Sequence, residues 1–125
     1  MSYGLLTGLG GSLYLLPNDF SISHAGTYAL WRYDPDQDSW TQCADLPEAL
    51  SSASMTVFDG KLYVYGEAGE TDGALAPRLV SYDPATNAWT SHDASRLPFH
   101  ATIVNCDGAM LLVGGAAYDG VKWSS

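Results

Sequence analysis

The sequence repeats itself at an interval of about 49 residues. The segment YDPDQDSW begins at residue 33, and YDPATNAW begins at residue 82. Gly11, Gly60 and Gly108 recur at nearly the same interval, each between two apolar runs. Leu-Pro pairs at 46–47 and 97–98 form a third marker in the same order. Because three independent markers keep one order and nearly one period, the chain is expected to be an array of one structural unit.

Each unit has the pattern of a four-stranded antiparallel meander. In the second unit an apolar run at 53–58 precedes Asp59-Gly60, a pair typical of the type I′ hairpin turn, whose central residues both need a positive φ. The return segment 61–65 contains LYVY, and its lack of alternation indicates a strand covered on both faces. The other predicted elements are a polar loop at 66–77, a third strand at 78–82, a turn at 83–88 and a fourth strand that opens at Trp89.

A single meander of this size cannot bury both faces of its sheet, so neighbouring units must stack against it, as the blades of a propeller do. The recurring residues resemble the kelch motif of β-propellers, in which glycines end the second strand and a Tyr-Asp-Pro is followed by a Trp seven residues after the Tyr. The glycine doublet is intact only once, because the other units have Gly66-Glu67 and Leu16-Pro17 in its place. The matching residues are Gly114-Gly115, Tyr33-Asp34-Pro35, Tyr82-Asp83-Pro84, Trp40 and Trp89.

The chain has room for about two and a half such units. We expect an all-β fold, a kelch-type β-propeller of four-stranded antiparallel blades, with residues 1–125 forming an incomplete ring. Closed propellers have about four to eight blades, and the resemblance implies six or seven. A longer chain is favoured over several copies as the way to complete the ring. The expected divisions are blade one at about 3–46, blade two at about 47–96, and a partial blade three at about 97–125, with two strands and a final loop containing Trp123.

The charge balance excludes some classes of partner. Fourteen acidic residues against five basic ones give a net charge of −9, so binding to nucleic acid or to an anionic membrane surface is not expected. No run of eighteen apolar residues exists to span a bilayer. The apolar start lacks the Lys or Arg of a signal peptide, and two cysteines cannot form a disulfide framework, so a reducing, cytoplasmic setting is favoured.

No set of residues has the spacing of a catalytic or metal site. His24, His92 and His100 have no metal-ligand spacing, and neither Cys43 nor Cys106 has a basic neighbour in sequence that would activate it. The alternating acids of DPDQD at 34–38 lack the Gly and Glu positions of a calcium loop and are interpreted as a solvated turn. We therefore predict no catalytic residue, no metal and no cofactor.

The remaining candidates lie in connections between strands. In a meander the 2–3 and 4–1 connections emerge at one end of the sheets, and the short 1–2 and 3–4 turns emerge at the other. Variable loops on a rigid scaffold are where binding usually resides, and the resemblance implies that this face holds peptide partners. The candidate binding residues are Asn18, Asp19, Ser51, Ser52, Glu67, Glu70, Asp72, Phe99, His100, Tyr118 and Asp119.

Two functions follow from the resemblance. The first is a non-catalytic module that presents the 2–3 and 4–1 loops to a protein or peptide partner. Because these loops are acidic, a basic or neutral partner is expected. The alternative is part of a kelch-fold carbohydrate-active enzyme, similar to galactose oxidase or to a sialic-acid mutarotase. The oxidase type needs copper held by Tyr and His and a Tyr–Cys crosslink, and no spacing here singles out such a set. Self-association, or the rest of a propeller, is expected to be needed in either case.

Overall fold

The computed structural model describes residues 3–18, 30–47, 50–69, 75–94, 101–114 and 119–123, and these ranges contain strands and turns but no helix. In these ranges eleven strands form three antiparallel sheets, and within each sheet every strand pairs with the strand that follows it in the chain. The first sheet contains β1 (Tyr3–Leu9), β2 (Ser12–Asn18), β3 (Trp31–Asp34) and β4 (Ser39–Gln42). The second contains β5 (Ser51–Phe58), β6 (Lys61–Gly69), β7 (Leu75–Asp83) and β8 (Ala88–His92), and the third contains β9 (Ala101–Cys106), β10 (Ala109–Gly114) and β11 (Asp119–Trp123).

The hairpin turns form as their residue pairs predict. Asp59 and Gly60 have φ values of 54° and 72°, and Asp107 and Gly108 have 52° and 80°. Both residues of each turn are therefore left-handed, as the type I′ turn requires. An aspartate or asparagine tolerates this conformation better than other side chains, and glycine adopts it freely.

The recurring Tyr and Trp occupy matching places in two sheets. Tyr33 lies opposite Trp40 across β3 and β4, and Tyr82 lies opposite Trp89 across β7 and β8. Their rings contact each other at centroid separations of 4.9 and 5.1 Å. The predicted equivalence of the two segments is confirmed at the level of register.

The core consists of two layers, one between each pair of neighbouring sheets. On one face of β6, Leu62 and Val64 pack with Tyr14 and Leu16 of the first sheet. On the other face, Tyr63 and Tyr65 pack with the third sheet. The strand is thus buried on both faces, as its unbroken apolar run predicts. The third-sheet residues in this layer are Ile103, Met110 and Leu112.

Strands β6 and β7 are longer than the sequence predicts. They stay paired as far as Gly69 and Leu75, so the connection is 70–74 and not 66–77. Glu67, expected in that polar loop, instead lies within β6 and is only 1% exposed. Gly66 next to it allows this packing, because a Cβ there would lie 2.7 Å from Cβ of Leu50. Backbone pairing and close packing outweigh the polar sequence of the segment.

The third sheet also differs from its prediction. Residues 119–123, interpreted as part of a loop, form β11 and pair with β10. Trp123 lies opposite Met110, and Asp119 lies opposite Gly114. The segment lacks the Tyr-Asp-Pro marker, but β10 offers an unpaired edge whose backbone groups a further strand satisfies.

Candidate functional site

The connections divide the sheets into two ends. The turn end holds the short turns at 10–11, 59–60 and 107–108 and the four-residue turns at 35–38 and 84–87. The loop end holds the longer connections, such as those between β2 and β3 and between β6 and β7. Turns of the same type at the turn end share one pattern of positive φ, whereas the connections at the loop end differ in length from one sheet to the next. Variation in the length of the connections is therefore concentrated at the loop end.

The predicted binding residues fall at the loop end where the structure describes them. Asn18 ends β2, Ser51 and Ser52 begin β5, and Asp119 begins β11. Ser51 pairs with Glu67 across β5 and β6, and the register shifts between Ser51 and Ser54. The sheet thus brings Ser51 and Glu67 together. The other candidates, Asp19, Glu70, Asp72, Phe99, His100 and Tyr118, lie outside the described residues, as does His24.

Glu67 has a different role from the exposed charge that its sequence context predicts. Its side chain is buried near the loop end of β6, on a strand flanked on both sides by other strands. A buried side chain cannot contact an approaching partner directly, so Glu67 is not the exposed loop charge that the sequence predicts.

A polar cluster that the sequence analysis missed lies between the first and second sheets. Arg32 of β3 lies opposite Tyr14 of β2, close enough for its charge to act on the phenol, and the Tyr14 and Tyr82 rings lie 6.1 Å apart. Burial raises the pKa of Tyr14, and the Arg32 charge partly offsets that effect. Burial first, and then the contact with the Cys43 thiol, raises the pKa of Tyr82. Both phenols are therefore neutral hydrogen-bonding groups.

The matching positions between the second and third sheets carry different residues. Ser81 Oγ lies 2.8 Å from His92 Nε2, and the His92 ring stacks on Tyr63 with an interplanar angle of 23°. Ser81 is 4% exposed, and burial lowers the pKa of His92, so the neutral ring is favoured. A serine beside a histidine is the pairing of a nucleophile with its base. Here the serine hydroxyl is buried beside the contact between two sheets, which fits a packing role.

The two clusters are related by the repeat. Arg32 and Cys43 of the first unit precede Ser81 and His92 of the second by the repeat interval. The backbone pairing is also equivalent. Cys43 N donates to Leu30 O at 2.7 Å in the first unit, and His92 pairs with Leu79 in the second. A signal for the first cluster was present in the sequence, because an arginine stands where the next unit has a serine. The repeat alignment could have singled it out, but nothing in the sequence showed that position 32 faces a neighbouring sheet.

The described residues contain neither a metal-binding cluster nor a membrane-spanning helix. In that part of the chain, no three His, Cys, Asp or Glu side chains converge to hold a metal ion. No helix there is long and apolar enough to cross a membrane.

Comparison with known proteins identifies the repeat. No family model matches the chain. The chain is 34% identical over 121 residues to Kelch-like protein terF of Aspergillus terreus. The matched region covers 92% of this chain and 26% of that protein. It is 30% identical over 121 residues to Kelch-like protein 33 of Homo sapiens, with 94% of this chain and 22% of that protein covered. The chain belongs to the kelch-repeat family.

A solved structure supports the same fold. The chain superposes on the structure of YjhT with a TM-score of 0.68 and 21% sequence identity, covering 90% of this chain and 33% of that one. The architecture is thus that of a kelch β-propeller with an incomplete ring, as predicted. The kelch chain spans about a quarter of the length of the two Kelch-like relatives.

Proposed function

We propose that this kelch chain is a protein-interaction module that binds a protein or peptide partner through the loop end of its sheets. The observation that carries this proposal is the contrast between the two ends. The turn end repeats two turn types, each with its own pattern of positive φ, which is near 50° at Asp38, Asp59, Asn87 and Asp107. The connections at the loop end differ in length from sheet to sheet, and variable connections on a fixed scaffold are where recognition usually resides. Several similar proteins are named Kelch-like, including Kelch-like protein 40 of Mus musculus.

The partner is proposed to be basic or neutral. The loop-end candidates include the acidic residues Asp19, Glu70, Asp72 and Asp119, and the whole chain has a net charge of −9. A field of this sign accelerates the approach of cationic segments and repels acidic ones. The binding residues proposed with them are Asn18, Ser51, Ser52, Phe99, His100 and Tyr118.

A peptide-display selection tests this function while the partner is still unidentified. A random peptide library is selected against the immobilised chain, and the winning peptides are measured against the double variant Glu70→Gln, Asp72→Asn. We expect peptides enriched in Lys and Arg, weaker binding by the variant, and a flatter dependence of its affinity on salt. Glu67 is left unchanged because its side chain is buried.

The matched control removes the same charge from the turn end. Asp59 and Asp107 are exposed and have positive φ, which asparagine tolerates, so Asp59→Asn with Asp107→Asn preserves both turns. Binding by this control should equal that of the unmodified chain. Peptides without a basic bias, or equal losses in both double variants, would place the interaction elsewhere.

The blade divisions and the need for assembly are part of the proposal. We propose blades at about 3–46 and 47–96 and a partial blade at about 97–125. Leu6, Trp40, Val104 and Val113 are exposed, and the first two lie on the opposite side of the first sheet from the second. Exposed apolar surface of this kind favours association. Sedimentation velocity of the 125-residue chain should show concentration-dependent association, and a compact monomer at all concentrations would contradict it.

A further inference from the structure

A cleft opens at the turn end between the first and second sheets, away from the proposed partner surface. Its volume is about 350 Å³, within the range of small-molecule sites. Ser12, Tyr14 and Arg32 line it from the first sheet, and Gly60 and Asp83 line it from the second. The repeat therefore builds the cleft from two successive units, and neither unit contains it alone.

Arg32 supplies the cationic side of the cleft. It is half-buried and lies directly opposite Tyr14 in the pairing of β2 with β3, so both side chains lie on the sheet face that borders the cleft. A planar guanidinium presents paired N–H donors that match a carboxylate. Partial removal from water strengthens such a contact relative to one on an open surface. Arg32 thus fits the anionic end of a ligand.

The opposite wall has the complementary charge. Asp83 begins the turn that follows β7, where its Oδ1 accepts the N–H of Ala85 at 3.0 Å. This hydrogen bond fixes the orientation of the carboxylate and leaves the group with further acceptor sites. Asp83 thus fits a cationic donor such as an ammonium group.

Net charge selects among the ligands that such a cleft could take. A simple carboxylate or a phosphate approaches a chain of net charge −9 against an unfavourable field. A molecule with one carboxylate and one ammonium group has no net charge and satisfies both walls. Open space beside Gly60, where an added Cβ would meet nothing within 4 Å, leaves the mouth of the cleft unobstructed.

We propose that the cleft between the first and second sheets binds a small zwitterion of the amino-acid class, with its carboxylate on Arg32 and its ammonium on Asp83. The site is separate from the loop-end surface and does not depend on the proposed function.

Titration calorimetry of the full chain tests the proposal with defined probes. Glycine, β-alanine and γ-aminobutyrate vary the separation of the two charges, while acetate and methylammonium carry one charge each. We expect saturable binding of at least one zwitterion, about tenfold or more tighter than either single-charge probe, because each charged hydrogen bond contributes to affinity. Backbone amide signals of Gly10 and Gly60 in NMR spectra should shift on binding.

Charge-matched variants locate the site. Arg32→Gln should weaken zwitterion binding about tenfold or more, and Asp83→Asn should weaken it while keeping the acceptor for Ala85. Lys61→Gln removes a positive charge from the same end of the sheets without touching the cleft and should bind as the unmodified chain does. Urea unfolding midpoints of all three variants verify that each is folded.

Several results would overturn the proposal. These are the absence of saturable zwitterion binding, equal binding of acetate and the zwitterions, and unchanged binding after Arg32→Gln. Acetylglycylglycine carries a peptide carboxylate but no ammonium group. If it binds as tightly as the best zwitterion, the cleft recognises a chain terminus, and the assignment of Asp83 is wrong.

Discussion

The same Tyr and Trp marker has different surroundings in the first and second sheets. In the second sheet, Trp89 is half-buried, and its Nε1 donates to Ala44 O of the first unit at 2.8 Å. In the first sheet, Trp40 is 50% exposed. The marker thus fixes the geometry within a sheet, where Tyr and Trp face each other in both cases. The burial of Trp89 comes from its contact with a residue of the neighbouring unit.

The turn beside each Trp shows the same contrast. Asn87 Oδ1 accepts from the Tyr82 hydroxyl at 2.6 Å and from the Ala44 N–H at 2.9 Å, so it joins two units. Asp38 at the matching position accepts from the Tyr33 hydroxyl at 2.5 Å, within its own sheet. This hydrogen bond is the main reason why the pKa of Tyr33 is raised. A shared geometry inside the repeat is therefore compatible with different contributions to stability.

The largest expected difference is between the two tryptophans. Trp89→Ala removes a half-buried ring and its hydrogen bond to Ala44, so it should lower the free energy of unfolding by about 3 kcal/mol. Trp40→Ala should cost about 1 kcal/mol or less, because half of the ring is in solvent. Urea denaturation followed by circular dichroism measures both.

Trp89→Phe sharpens this comparison. It keeps an aromatic ring and removes the indole N–H, so a loss of about 1 kcal/mol would assign that part of the effect to the hydrogen bond with Ala44. Equal costs for Trp89→Ala and Trp40→Ala would show that burial between units does not distinguish the two positions.

Two glycines give the next largest contrast. Gly66→Ala places a Cβ 2.7 Å from Cβ of Leu50, so it should cost about 2 kcal/mol through displacement of the chain that joins the first and second sheets. Gly8→Ala is the control, because its nearest contacts at 3.8 Å are ordinary van der Waals contacts. Thermal unfolding of the two variants distinguishes crowding from a general effect of alanine. A stable Gly66→Ala variant would contradict the tight packing against Leu50.

The bridging asparagine should show a smaller effect. Asn87→Gly removes both side-chain hydrogen bonds without backbone strain, since glycine accepts its φ of 53°, and should cost about 1–2 kcal/mol. Asp38→Gly at φ 48° should have a smaller effect, because its partner Tyr33 belongs to the same sheet and the lost hydrogen bond joins no second unit. Chemical denaturation compares the two. A larger effect for Asp38→Gly would reverse the assignment of the bridge.

The smallest predicted effect is on the pH dependence of thermal stability. It distinguishes the cluster that contains His92 from the cluster that contains Arg32. Burial holds the pKa of His92 below its ordinary value of 6.5, so the folded state favours the neutral ring. The stability that the neutral His92 ring contributes to the folded state is complete above the ordinary pKa, and it is lost as the pH falls through the lowered pKa. The melting temperature should therefore decrease as the pH falls below about 6.5. His92→Gln should show a weaker decrease than the unmodified chain.

A companion variant uses the repeat itself as the control. His92→Cys places at this position the residue that the first sheet has at Cys43. Below pH 6.5 it should show the same reduced pH dependence as His92→Gln. Identical pH profiles for the unmodified chain and both variants would show that His92 does not titrate during unfolding.

Much of the fold was predictable because it depends on local signals. The Asp-Gly pairs at 59–60 and 107–108 define turns through their backbone preferences, and the alignment of Tyr33 with Tyr82 places them in register. Strand lengths were less predictable. Glu67 lies in β6 because Gly66 permits close packing, and β11 forms because β10 provides a pairing edge, neither of which is a local property of the sequence.

The candidate sites show the same division. The loop-end residues could be named from the order of strands alone, because the topology of a meander decides which connections share an end. Arg32 and Tyr14 could not be named in this way, since they become neighbours only when β2 and β3 pair, and they line a cleft only when Asp83 of the next unit approaches.

By itself, the sequence determined the repeat, the turn conformations and the facing Tyr and Trp, because each depends on residues close together in the chain or one period apart. The tertiary structure decided which side chains are buried. Trp89 and Trp40 share the Tyr-Asp-Pro marker and the same spacing from it, yet among the described residues Trp89 packs against Ala44 of the neighbouring unit whereas Trp40 is half exposed. Contact between units is what removes a side chain from water.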